Sequence, residues 1–179
     1  MSFRPPPSAP ELPEAPHLLN AGLVLLWPFL QTLFERLGYL EQRQFRNAAM
    51  AERTVHLLHF LVTGEEHPPE SLLMLNKLLC GVEPGRPLAR ELALTELEKA
   101  TGEELLRMVL SRWELLNNTS IAGLRETFLQ RGGKLTSLPE HVTLTVETKP
   151  FDMLLDQCPW SIALIKLPWM ALPTLRHMA

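Results

Sequence analysis

The chain has 179 residues, a formal net charge of −3 at pH 7 and two cysteines, Cys80 and Cys158. That charge, with no cluster of Lys or Arg, argues against a nucleic-acid partner, because such binding rests largely on phosphate neutralisation. Met1 to Pro16 has neither the basic start nor the apolar centre of a signal peptide, so the chain is expected to be made for the cytoplasm, where thiols without a cysteine framework stay reduced.

Residues 1–16 carry Pro5, Pro6, Pro7, Pro10, Pro13 and Pro16 and read as a Pro-rich disordered arm. The remainder, 17–179, suits one compact domain able to bury ~70% of the surface its unfolded chain exposes. It opens on "NAGLVLLWPFLQTLFERLGYL", residues 20–40. A bilayer span needs ~20 predominantly apolar residues, and Asn20, Pro28, Gln31 and Thr32 interrupt this run too early, so no membrane span is expected. Pro28 either kinks the helix or opens a new one at its first position, where a missing N–H costs nothing. Beyond it Leu30, Leu33, Phe34 and Leu37 recur at helical spacing and Gly38 is placed to stop the helix. The stretch Leu23 to Trp27 is apolar all round and must be enclosed, by this domain or by another chain.

A second helix is expected over Phe45 to Val62, with Ala48, Ala51, Val55, Leu58 and Val62 on one face and Gly64 as its stop. Pro68 and Pro69 begin a third, which Leu72, Leu75 and Leu79 stripe and Cys80-Gly81 ends. A fourth, Leu88 to Ala100, and a fifth, Glu103 to Leu116, are divided at Thr101-Gly102, where the Thr101 to Glu104 spacing fits a capping box. Thr119 or Ser120 caps a sixth that turns Ile121, Leu124 and Phe128 inward and closes at Gly132-Gly133. The period then changes from helix to strand: Val142, Leu144 and Val146 alternate with polar residues, Ile162 to Leu167 is a second β-like run, and Lys134 to Thr136 adds a short third. Asp152 caps one or two helical turns between them. The expected fold is α+β: a mostly helical body of about six helices over 17–131, then a small antiparallel sheet within 132–170 and a short C-terminal tail.

Glu52, His56 and His59 fall within a ~60° sector of the second helix, at ~100° per residue, and are the one candidate metal-binding set. The spacing matches neither the Glu-x-x-His step of di-iron bundles nor the zinc-protease helix, and polar residues flanking a core stripe would look the same. His17, His67, His141 and His177 are too scattered to add to it, and nothing in sequence brings Cys80 or Cys158 to a histidine. Phosphate-loop and nucleophile-elbow patterns are absent. An enzyme is therefore not expected, and no cofactor.

"CPWSIALIKLPWM", residues 158–170, brackets an apolar strand with two Pro-Trp pairs. Aromatics held on a fixed backbone lose little entropy on contact, which suits them to packing or to a partner. A strand apolar on both faces needs cover on both sides, and one cover could be another subunit. The candidate interaction residues are Leu23, Trp27, Pro28, Pro159, Trp160, Ile162, Leu164, Pro168 and Trp169.

Six blocks in order, "NAGLVLLWPFLQTLFERLGYL", "RTVHLLHFLVTGEE", "LMLNKLLCGVE", "NTSIAGLRETFLQRGGKL", "KPFDMLLDQCPW" and "IKLPWM", resemble the contractile injection system tape measure proteins, which accompany phage-tail-like particles of bacteria. The resemblance runs from Asn20 to Met170. It implies a non-enzymatic assembly role in the cytoplasm, in tube length control or as a terminal or anchoring module, with tube and baseplate subunits as partners and no catalytic residues to carry over. A ruler's residue count should scale with the length it measures, at ~1.5 Å per residue of helix. Fully helical this chain reaches only ~270 Å, and an extended Pro-rich arm adds ~50 Å. The expectation is a compact module at one end of the tube or baseplate, beside a longer ruler protein or as a homo-oligomeric ring that matches its partner's symmetry. Two other readings stand beside it: a cytoplasmic adaptor or chaperone for a tube subunit or toxin, and a small metal-dependent hydrolase using Glu52, His56 and His59.

Overall fold

A computed structural model describes residues 17–170 and the backbone of 175–178. The arm expected over 1–16 lies outside the described residues, as does the rest of the C-terminal tail (171–174 and 179). The chain enters as a short strand β1 (His17–Leu18) and a 3-10 turn over Ala21–Leu26, all six of whose residues are buried. Helix α1 (Trp27–Arg36) follows directly. Pro28 is its second residue, where the missing N–H falls among the donors any helix start leaves unbonded. The proline therefore marks a change from 3-10 to α geometry. The run Leu23 to Leu26 is enclosed by the domain itself.

A two-residue hairpin, β2 (Leu40–Glu41) and β3 (Gln44–Phe45), replaces the expected start of the second helix. Its turn residues Gln42 and Arg43 both take positive φ, 49° and 65°, the geometry of a primed hairpin turn without the usual Asn or Gly. Helix α2 (Ala48–Thr63) then starts at Asn47, whose side chain accepts from the Met50 N–H. Gly64, at φ 75°, ends it as Gly38 ends α1. The expected single apolar stripe is instead a helix buried on every side from Thr54 to Val62, because α3 (Met74–Leu79), α4 (Glu96–Arg112) and the segment after α5 (Ile121–Leu124) all pack around it. A buried helix end needs partners for its last carbonyls. Here the segment after α5, a π-turn over Arg125–Leu129, supplies them: Arg125 donates to the Leu61 and Phe60 carbonyls (3.0 and 3.2 Å) and Gln130 to that of Val62 (3.0 Å). A guanidinium is also the charge that a helix C-terminus favours.

The expected fourth and fifth helices are one helix, α4. Its start is Thr95, where a full capping box forms with Glu98. The same carboxylate accepts from Arg53 and from the Tyr39 hydroxyl, tying the segment after α1 to α2 and α4 at one point. Burial alone would raise the Glu98 carboxyl; the hydrogen bonds from Arg53, Thr95 and Tyr39 outweigh it and hold it below the usual range. Residues 82–94 are loop, not helix. The buried Lys77 closes that loop with all three donors engaged, on Glu70 and the carbonyls of Pro84 and Arg86. Gly102 sits inside α4 against Leu61 and Leu57 of α2, so the position that reads as a helix break is where two helices come closest.

Strands β4 (Gly133–Ser137) and β5 (Val142–Val146) pair antiparallel with Leu135 opposite Leu144. β6 (Leu164–Ile165) and β7 (Leu175–Met178) form a second antiparallel pair. The α+β class holds, with a helical body and strands concentrated in the C-terminal half. The sheet order is β1-β4-β5-β7-β6, with β5 and β7 parallel. The first strand of the described chain and the last thus lie in one sheet, three strand spacings apart, about 14 Å. One contiguous core joins the 3-10 turn, the helices and Leu135, Val142, Leu144 and Ile165 of the sheet.

The 3-10 turn lies directly on the π-turn. A Cβ at Gly22 would stand 1.7 Å from the carbonyl oxygen of Phe128, and backbone cannot step aside as a side-chain tip can. Gly22→Ala is therefore expected to cost about 3 kcal/mol or more of stability, read as a lowered urea midpoint at unchanged m-value.

Candidate functional site

Trp27, Trp160, Pro168 and Trp169, four of the nine candidate interaction residues, lie at two seams where the C-terminal segment returns to the helical body. At the first, the Trp160 indole N–H donates to the Leu25 carbonyl (2.9 Å) and the Trp27 indole N–H to the Ser161 carbonyl (2.8 Å). In a 3-10 turn the carbonyl of residue 25 is served by the N–H of residue 28, and Pro28 has none. Trp160 fills that role from 135 residues away. Its ring meets Phe29 edge-on at 4.9 Å and Trp113 at 5.9 Å, and Trp113 continues to Phe128 and Phe151. Arg131 closes the row over the Phe128 and Phe151 rings, ion-paired to Asp152 at 2.5 Å. That charge is almost wholly buried, and the Thr127 carbonyl and Asp152 compensate it.

At the second seam Trp169 is buried against Phe34 and Phe45, and its indole N–H donates to the Leu79 carbonyl at the end of α3 (2.7 Å). Gln44 reaches the neighbouring Pro168 carbonyl (2.9 Å). Each Pro-Trp pair is thus an internal staple. Two of the candidates, Leu23 and Trp169, are core and offer no surface. Trp27, Trp160 and Ile162 are half-buried, while Pro28, Pro159, Leu164 and Pro168 are exposed. The strand expected over 162–167 is only Leu164–Ile165, apolar inward at Ile165 and open at Leu164, which is 52% exposed. It does not need cover on both faces. The Trp27 and Trp160 hydrogen bonds place residues 25–28 beside 160–161, so Trp27, Pro28, Pro159 and Ile162 lie on adjoining segments. Sequence spacing pointed to the tryptophans; Trp113 and Arg131 carried no periodic or motif signal and were missed, and Asp152, expected as a helix cap, accepts the Lys149 N–H and pairs with Arg131.

The three metal candidates do not meet at one point. Glu52 accepts the Ala89 N–H and the buried His56 lies beside the same Ala89 backbone, whereas His59 lines a cleft to which neither belongs. Among the described residues no three His, Cys, Asp or Glu side chains are grouped to hold a metal ion. Cys80 and Cys158 are unpaired, and burial pushes both thiols up, away from the thiolate a nucleophile needs. Among the described residues no helix is long and apolar enough to cross a membrane.

A family model described as contractile injection system tape measure protein matches residues 4–174. No curated protein and no solved structure matches the chain.

Trp160→Phe keeps a ring but removes the donor to Leu25, and is expected to cost about 1–2 kcal/mol in urea unfolding. Burial pushes His56 and His59 below their ordinary value of 6.5. A histidine whose folded value lies below its unfolded one takes up more protons when unfolded, so stability should fall as the pH drops through about 6.5. His56→Leu, which removes a buried titratable ring, should make the midpoint less sensitive to pH between about 7.5 and 5.5.

Proposed function

The chain belongs to the contractile injection system tape measure protein family, and from that premise we propose that it is a non-enzymatic assembly component that docks at one end of the tube or at the baseplate, rather than the rod that measures tube length. The observation that carries this reading is the sheet order. A ruler must hold its ends apart in proportion to its residue count, at ~1.5 Å per residue if helical. Residues 17 and 178 instead belong to strands about 14 Å apart in one sheet. The chain between them is folded back on itself around a single core.

The surface proposed for docking is the one formed by Trp27, Pro28, Pro159 and Ile162. Aromatic and proline side chains on a backbone already fixed by two indole hydrogen bonds lose little freedom when a partner covers them. Its partners would be tube and baseplate subunits, met in the bacterial cytoplasm during assembly. A longer chain, or the tube's own stacking, would then set the length.

Electron microscopy of particles from cells with and without the gene tests the proposal. Loss of particles, or tubes that start but remain unterminated, is the expected result. Unchanged yield and lengths would overturn it and leave an adaptor acting before assembly. Pro28→Glu with Pro159→Glu, two changes at exposed positions, should reproduce the assembly defect while the isolated protein keeps its unfolding free energy to within about 1 kcal/mol.

A further inference from the structure

Pro7, Pro10, Pro13 and Pro16 recur at every third residue of the Pro-rich arm. A polyproline II helix has three residues per turn, so in that form the four prolines share one edge, Ala9, Leu12 and Ala15 a second, and Ser8, Glu11 and Glu14 a third. The family match takes in this segment from Arg4 onward. A proline lacks an N–H but keeps its carbonyl, so a ligand of this kind brings acceptors and apolar rings, and a cleft that suits it has donors beside an aromatic wall. The domain holds such a cleft, about 570 Å³, at the start of α2. The half-buried Phe45 and Trp169 form its wall with ring centroids 5.4 Å apart, and Ala48, Ala51 and Val82 continue it. Asn47 spends its side-chain oxygen on the Met50 N–H, which leaves its amide N–H₂ to donate. Arg86 lines the cleft and Arg46 precedes Asn47; both are exposed, and neither makes an ion pair among the described residues. Glu83 is the one acid in the lining.

We propose that residues 4–11 of the same chain dock in this cleft in polyproline II form, with Pro7 and Pro10 against Phe45 and Trp169, Glu11 beside the guanidinium groups of Arg46 and Arg86, and Arg4 beside Glu83. The strand register directs the arm there. β1 pairs Leu18 with Gly133 and His17 with Lys134, so the chain followed back from Leu18 to His17 heads along β4 toward Ser137. Ser137 pairs with Val142, Val142 with Leu175 and Leu175 with Ile165, and these four mark one end of the sheet. The chain leaves β6 at that same end and reaches Trp169 four residues after Ile165. From β1 to β6 is four strand spacings, ~19 Å, whereas residues 4–16 span ~40 Å at ~3.1 Å each. The arm is long enough to cross the sheet and fill the cleft. The inference does not rest on the docking role proposed above, which uses the other seam, so either can fail without the other.

The test compares 15N spectra of the full chain with those of a full chain carrying Pro7→Ser and Pro10→Ser, substitutions that leave every core residue in place. The amides of Phe45, Ala48 and Val82 and the indole of Trp169 are expected to shift in the variant, while signals from Leu61 and Leu144 in the core stay where they are. A synthetic peptide of residues 2–16, added to the variant, should return the shifted signals saturably toward their parent positions. A peptide of the same composition with the three-residue proline spacing scrambled should not. Arg86→Gln, a change at an exposed cleft position, should weaken binding of the residue 2–16 peptide by about fivefold. Identical spectra for parent and variant outside the arm, equal action of the scrambled peptide, or indifference to Arg86→Gln would overturn the proposal. So would parent cleft signals that move to the variant positions on dilution, because the occupant would then be the arm of a second copy.

Discussion

A proline at position 28 denies the Leu25 carbonyl the N–H that a tight helical turn would give it, and the indole of Trp160 supplies the missing donor. The bond is modest by itself, about 1 kcal/mol net, yet it joins two segments 135 residues apart. It brings the segment after Cys158 back across the first helical entry, where Trp27 returns the favour to Ser161. From there Ile165 enters the core beside Leu167, and Trp169 closes onto the end of α3. The strand held between the two indoles forms the edge of the sheet whose opposite edge is β1. Gly22 lets the 3-10 turn lie on the π-turn backbone, and that contact places the Arg125 and Gln130 caps on the last carbonyls of α2.

The same features show what periodicity can and cannot reveal. Where one face of an element decides its burial, the pattern was legible: α1 after Pro28, the Val142, Leu144 and Val146 strand, and the Gly38 and Gly64 stops. Where tertiary contact overrode local preference, it was not. Thr95 and Thr101 both stand three residues before a glutamate, and only the docking of Glu98 onto Arg53 and Tyr39 selects the first. Gly102 looks like a break because an interior glycine costs about 1 kcal/mol of helix propensity; close packing on Leu61 offsets that cost. The β2–β3 hairpin carries Gln42 and Arg43 where Asn-Gly would announce it. At the site, the two Pro-Trp pairs were visible as anchors, but their targets are backbone carbonyls at Leu25 and Leu79, which have no signature in sequence. Glu52, His56 and His59 do share a helix face, but a face is not a point: one carboxylate caps a loop, one imidazole is sealed in the core and one borders a cleft.

Membership of a tape measure family and a folded-back chain have to be reconciled in physical terms. Length measurement by a protein rod depends on residues in series, each adding a fixed rise. In this chain the residues are in parallel: α2 is wrapped on all sides, loops such as 82–94 are held down by buried Lys77, and the two strand ends share one sheet. Such an object can mark an end, seat a partner or start an assembly. The surface proposed for that role is the one at Trp27, Pro28, Pro159 and Ile162.

The most direct measurement is the dependence of tube length on the length of this chain. Pro139 and Glu140 lie exposed in the turn between β4 and β5, so a flexible ten-residue insertion between them adds contour away from the core. A rod that measures would lengthen the tube by about 15 Å if the insert were helical and up to about 35 Å if extended. An end-docking module predicts the same mean length and the same width of distribution as the parent, for one insertion or for two in tandem. A mean length that rises in step with the residues added would contradict the account.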